Sequence, residues 1–165
     1  MKLTPPKIFG GMLALGVLWQ LLRKDSDVDA LARMLISETS FDTSKHSAIE
    51  MAQIVYVALN RARKTGASLS QVVQPGGRWN GGDLYTALFG RASSNPRWAE
   101  ARAFVGEVLG GAYPNMGFSG FIHPGSMPRP PCAPNRVEAD TLAGRRCIPQ
   151  WSIGGTVVGR GQFVA

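Results

Sequence analysis

Metal-ligand and thiol side chains are scarce in this chain. Its 165 residues include two histidines, His46 and His123, and two cysteines, Cys132 and Cys147. No C-x-x-C pair occurs, and no ligand pair has the short spacing of a zinc finger. No metal site and no cofactor are therefore expected, and a metal-dependent peptidase or amidase is disfavoured. A thiol peptidase built on Cys132 or Cys147 with His123 is disfavoured too. Both cysteines lie in a Pro, Gly and Arg-rich stretch rather than at a helix start that would lower a thiol pKa. Charge is sparse, at 18% of residues. Eighteen Lys and Arg stand against 11 Asp and Glu, for a net charge of +7. That balance favours anionic partners. The basic residues are scattered, with no long run and no aromatic ladder beside one, so no nucleic-acid partner is expected. Neither an internal repeat nor a low-complexity linker is present. The 44% of apolar residues suffices for one domain with a real core and hardly for two.

The first residues differ from the rest. Met1 to Lys7 are polar and basic, Ile8 to Leu22 carry no charge, and Arg23-Lys-Asp25 end the run. The run is shorter than the ~20 residues of a typical membrane span. No small-x-small cleavage site follows it, and Trp19 and Arg23 suit a membrane interface. Residues 1–24 are therefore expected to be an uncleaved membrane anchor, with an apolar helix packed on the domain or on a partner as the other reading. Residues 25–165 form the remaining domain.

That domain reads as mainly α. Ser26-Asp-Val-Asp29 opens a helix running to about Thr39. Ser47-Ala-Ile-Glu50 is a capping box for a second helix, in which Met51, Ile54, Val55, Ala58 and Ala62 keep the helical period. Ser68-Leu-Ser-Gln71 caps a short third helix. Gln74 to Gly82 is a glycine-rich loop that presents Trp79 and Asn80. Asp83 to Phe89 forms a fourth helix. Asn95-Pro96 opens a fifth, which Gly110-Gly111 stop. Phe118 to Ile122 and Thr156 to Val158 read as short extended pieces in an irregular C-terminal lobe. The cysteine pair stands open between a disulfide, which would imply an oxidising compartment, and two free thiols.

Chemistry concentrates at Glu38. Leu31, Met34 and Leu35 make an apolar stripe, and Glu38 takes the next place on it. An apolar wall disfavours the ionised carboxyl and raises its pKa, which prepares a general acid for neutral pH. A carboxyl beside a groove suits glycosidic cleavage, in which the acid protonates the departing oxygen. Asp42 is the candidate second acid. Glu50 is accounted for as the capping-box partner of Ser47. A one-carboxyl route is also open, in which Glu38 donates a proton and then takes one from a substrate hydroxyl, closing an internal ring without water. Trp79 and Asn80 suit a sugar platform, since aromatic faces stack on pyranose rings, and a loop plug over the core is the other reading of Trp79. Asn60 could bond the chain near Glu38, and His123 could line the groove.

Glu38, the helix from Met51 to Arg61, the Gln74-Pro-Gly76 loop, the Ala101 to Gly110 helix and Phe121-Ile-His-Pro124 occur in a telling order. It resembles the order in the spore-cortex-lytic cell wall hydrolases, the SleB-like group. Glu38-Thr-Ser-Phe41 is also similar to the Glu-Ser-x-Phe motif of the lysozyme-like lytic transglycosylases. Where the first group continues Glu-Ala-x-Gly-Glu, this chain reads Glu38-Thr-Ser-Phe-Asp42, which puts Asp42 near the group's second acid. Residues 125 to 147 look like an added loop.

Both resemblances imply a lysozyme-like α+β domain and peptidoglycan glycan strands as substrate. Glu38 would be catalytic, with Asn60, Trp79, Asn80, Phe121 and His123 contacting glycan. The expected activity is cleavage between N-acetylmuramic acid and N-acetylglucosamine, as a lytic transglycosylase or a muramidase. The expected setting is membrane-anchored through residues 8–22, with the domain outside the cytoplasm or in a virion. The alternatives are a non-catalytic wall-binding module and a structural protein of a virion or secretion apparatus.

Overall fold

Leu31, Met34 and Leu35 carry the helical period of the first helix, and all three are completely buried. The computed structural model describes residues 26–165 except Arg78, Asn80 and Gly81, and this helix, α1, covers 26–39. Ala30, Ala32 and Ile36 are buried as well, so α1 is enclosed on nearly every side rather than along one stripe. The expected anchor at residues 1–24 and the expected contact residue Asn80 lie outside the described residues. No helix among the described residues is long and apolar enough to cross a membrane.

The second helix, α2, spans Ala48–Thr65 and is the other buried axis, with every residue from Glu50 to Ala58 in the core. Ser47 caps it by accepting the N–H of Glu50, and Gly66 ends it in the left-handed conformation. The short helix α3 (Leu69–Val73) has a complete capping box, in which Gln71 reaches back to the N–H of Ser68. Helices α4 (Gly82–Arg91) and α5 (Trp98–Leu109) follow. The α5 helix starts later than Asn95-Pro96 suggests. Asn95 Oδ1 accepts the N–H of Arg97 at 2.8 Å, so these residues form a turn before the helix.

Strands fill the rest, giving an α+β architecture with helices first and sheet last. β1 (Gly120–Ile122), β4 (Thr156–Val158) and β5 (Gly161–Val164) make an antiparallel sheet in the order β1-β5-β4. Phe121 faces Phe163 across it, and Phe163 is wholly buried. The stretch expected as an irregular added loop holds a regular hairpin instead. β2 (Arg136–Thr141) pairs with β3 (Gly144–Pro149). A disulfide joins Cys132 to Cys147, and the N–H of Cys147 donates to Pro128 O at 2.7 Å. Ile148 enters the core.

One polar row on α2 joins helices to sheet. Gln53 Nε2 donates to Pro114 O at 2.8 Å, and its Oε1 accepts the N–H of Met116 at 3.2 Å. The Tyr56 hydroxyl reaches Tyr113 O at 2.7 Å. Asn60 Nδ2 donates to Phe118 O at 2.8 Å, and Arg61 Nε donates to Ser119 O at 2.6 Å. An extended segment outside a sheet still has carbonyls and N–H groups to satisfy. These side chains supply the partners for residues 113–119, and so fix where β1 begins.

Candidate active site

Glu38 lies in the last turn of α1, half-buried. The helix stops abruptly behind it, because Ser40 and Phe41 both adopt positive φ, at 53° and 50°. Two consecutive left-handed residues without glycine are strained and persist only where neighbours over-determine them. Here Thr39 Oγ1 accepts the N–H of Phe41 at 3.1 Å and donates to Leu35 O at 2.7 Å. Arg97 Nη1 donates to Phe41 O at 2.9 Å. The buried Phe41 ring meets Phe104 edge-on at 5.7 Å. The turn is thus clamped, and with it the direction of the Glu38 side chain.

The carboxyl is held from one side by Trp79, whose indole N–H donates to Glu38 Oε1 at 2.6 Å. Trp79 is only 4% exposed. Phe121 packs at 5.5 Å from its ring and the Arg61 guanidinium lies 4.9 Å over it. Of the two readings of Trp79, the buried plug fits: the ring is enclosed by these neighbours and supports Glu38. An exposed indole does line this side of the groove: Trp151, 54% exposed, which no sequence motif marks.

Burial raises the pKa of Glu38 above the usual carboxylate value. The Trp79 N–H and the Arg61 charge pull the other way and are outweighed. Burial likewise lowers the pKa of Arg61, against the pull of Glu38. The phenol of Tyr85 is pushed up, first by burial and then by the Glu38 charge, and its hydroxyl donates to Val73 O.

Two adjoining hollows meet at the carboxyl. One, of about 430 Å³, is lined by Leu84, Tyr85, His46 and Arg160 among others. The other, of about 340 Å³, is lined by Arg61, Trp79, Phe121, Arg136 and Trp151 among others. Glu38, His123 and Ser126 belong to both. Together they form a groove that passes the carboxyl on either side, and each is on the scale of a small-molecule subsite. A larger cavity of about 700 Å³ continues past Gly125 and Arg160 toward Leu142 and Val157. Glu38 is the only carboxylate among the described residues lining the two hollows.

Asp42, the expected second acid, is turned away. It accepts the N–H and hydroxyl of Ser44, at 3.0 and 2.6 Å, and pairs with Lys45 at 3.1 Å. The Ser44 bonds and Lys45 lower its pKa to about 2. It organises the turn after α1 and lines neither hollow. Asn60 is also absent from the groove, being spent on Phe118 O and on a mutual pair with Asn115. Phe121 and His123 do line it.

Glu50 departs most from expectation. Its backbone meets the Ser47 cap, but its side chain turns inward and is fully buried. Glu50 Oε1 lies 3.1 Å from His46 Nδ1 and 3.7 Å from His123 Nδ1. Glu50 Oε2 accepts the N–H of Arg160 at 3.1 Å. Gly159, at φ 59°, permits that approach, since a Cβ there would collide with the carboxylate. The His46 and His123 rings meet edge to face at 5.2 Å. Burial lowers the pKa of His123, with Glu50 opposing and His46 adding to the effect. His123 Nε2 is buried without a hydrogen-bond partner. The signals in the sequence were His46 four residues before Glu50 and the His of Phe-Ile-His-Pro, but nothing local joins them.

No family model, no curated protein and no solved structure matches this chain.

Proposed function

We propose that this protein cleaves the glycan strands of peptidoglycan, with Glu38 as general acid and then base. The observation that carries the reading is a half-buried carboxyl of raised pKa, alone among the carboxylates of the described residues in the groove that runs past it. A protonated Glu38 gives its proton to the glycosidic oxygen as the bond to the sugar carbon breaks. The resulting carboxylate then takes a proton from a hydroxyl of the same sugar, whose oxygen closes on that carbon. This needs no second carboxylate to activate water, so the lytic transglycosylase route is preferred to hydrolysis. Phe121, His123 and Trp151 supply groove walls for the sugar. Arg61 and Arg136 bring positive charge to the groove wall, which suits an anionic wall polymer.

The order of buried helices followed by a small antiparallel sheet beside the acid supports a lysozyme-like domain. The disulfide supports an oxidising setting outside the cytoplasm, with residues 8–22 as its membrane tether. The test is incubation with purified sacculi and mass analysis of released muropeptides. Anhydro-ended products are expected, and Glu38→Gln should lower their release by at least about a hundredfold. Unchanged release by Glu38→Gln refutes the assignment. Sacculus binding without release replaces catalysis with wall binding.

A further inference from the structure

Both histidines of the chain converge on one buried carboxylate. His46 precedes α2, Glu50 lies in its first turn, and His123 follows β1. One donor atom from each lies within 4.8 Å of the other two. The two imidazole nitrogens are 3.1 and 3.7 Å from the same oxygen, Glu50 Oε1. The longer distance is too great for a hydrogen bond. Around a tetrahedral zinc ion, with bonds of about 2.0–2.2 Å, neighbouring ligand atoms stand about 3.3–3.6 Å apart. The two separations bracket that range.

The charges fit as well. Glu50 is wholly buried, and among the described residues no Lys or Arg side chain pairs with it. A carboxylate removed from water needs a cation beside it. Its second oxygen is already oriented by the N–H of Arg160, the kind of outer bond that aims a ligating carboxylate.

We propose that His46, Glu50 and His123 form a site for one divalent transition-metal ion of the zinc class, bordering the hollow that Glu38 lines. Two imidazoles and a carboxylate are a zinc donor set that leaves a fourth position of a tetrahedral ion open. The ion ties the loop before α2, the first turn of α2 and the end of β1 into one unit. The expectation of no metal site rested on spacing along the chain, whereas these ligands are assembled by the packing of α2 against β1. The site does not depend on glycan cleavage.

The test is calorimetric titration of the untagged, chelator-stripped full chain with zinc chloride, together with Tm measured with and without zinc. One ion per chain is expected, with a higher Tm in zinc. His46→Ala and His123→Ala should each weaken binding by at least about tenfold and abolish the Tm rise. Both side chains are partly exposed, at 13% for His46 and 20% for His123, and Tm without metal checks that neither truncation disturbs folding. Absence of saturable zinc binding by the parent chain overturns the proposal. So does binding of parental strength in the double variant, since no histidine then remains.

Discussion

Replacing Trp79 with Phe removes one bond from Glu38 and leaves most of the surrounding packing. The ring contact with Phe121 and the cation over the ring can persist on a phenyl face. What is lost is the indole N–H that donates to Glu38 Oε1 at 2.6 Å. A hydrogen bond to an ionised acceptor contributes roughly 1.5–3 kcal/mol, against roughly 0.5–1.5 for a neutral one. The variant should therefore lose about 1–1.5 kcal/mol more stability where Glu38 is ionised than where it is protonated. Burial raises the folded-state pKa of Glu38 above its unfolded value. The stability linked to this group is thus fully present below the unfolded value and falls as pH rises through the folded one. The cost of Trp79→Phe should follow the same window, small and constant in acid and larger above the folded pKa. Urea unfolding of the parent and the variant across pH 4 to 8 reads this difference, and contributions from other groups cancel. In a Glu38→Gln background the pH dependence should vanish. A cost of Trp79→Phe that is the same at both ends of the range refutes the claim that the indole serves the carboxylate.

Three further outcomes follow from the same geometry. Asp42→Asn should leave muropeptide release unchanged, because Asp42 faces the Ser44–Lys45 turn, and its carboxyl resonance should titrate near the value of about 2. Its contribution to stability is present above the unfolded value and lost as pH falls toward that point. Ser40→Gly should stabilise the fold by about 1 kcal/mol in urea unfolding, since the exposed Ser40 holds φ 53° and glycine carries no penalty there. Converting both Cys132 and Cys147 to Ser opens a loop with a sequence separation of 15. This should cost about 3 kcal/mol in the chain-entropy account, read as a lower urea midpoint and as faster hydrogen exchange in β2 and β3.

The helices were legible because their signals are local. Apolar residues at helical spacing in α1 and α2 end in the core, and Ser68 with Gln71 forms the box that their spacing predicts. Glu38 was legible for the same reason, being the polar residue on a buried stripe. Glu50 was not, because Ser47-x-x-Glu50 is satisfied at the backbone whether or not the side chain returns to the cap. Two histidines and a backbone N–H from the β4–β5 turn draw it inward, and that competition is decided by tertiary packing. Trp79 stayed open between platform and plug for a related reason. Glycines around an indole suggest exposure, but its partner is a carboxylate 41 residues away in the chain. The β2–β3 hairpin was hidden by the Pro-rich residues that precede it, and its register is held by the ladder itself and by a disulfide that spacing left undecided.

Gln53, Tyr56, Asn60 and Arg61 form one polar row on α2, and of the four only Asn60 was expected as a contact. Together they hold residues 113–119 against the helix. That segment delivers β1, whose end carries Phe121 and His123 to the groove. Arg61 serves both ends of this arrangement, anchoring Ser119 O while its charge lies over Trp79 beside Glu38. Helix α2 therefore contributes to the site less by presenting groups to a ligand than by fixing the distance between the acid on α1 and the wall that faces it. Buried hydrogen bonds suit that task better than apolar contacts, because a carbonyl satisfied at one register is left unpaired at the next.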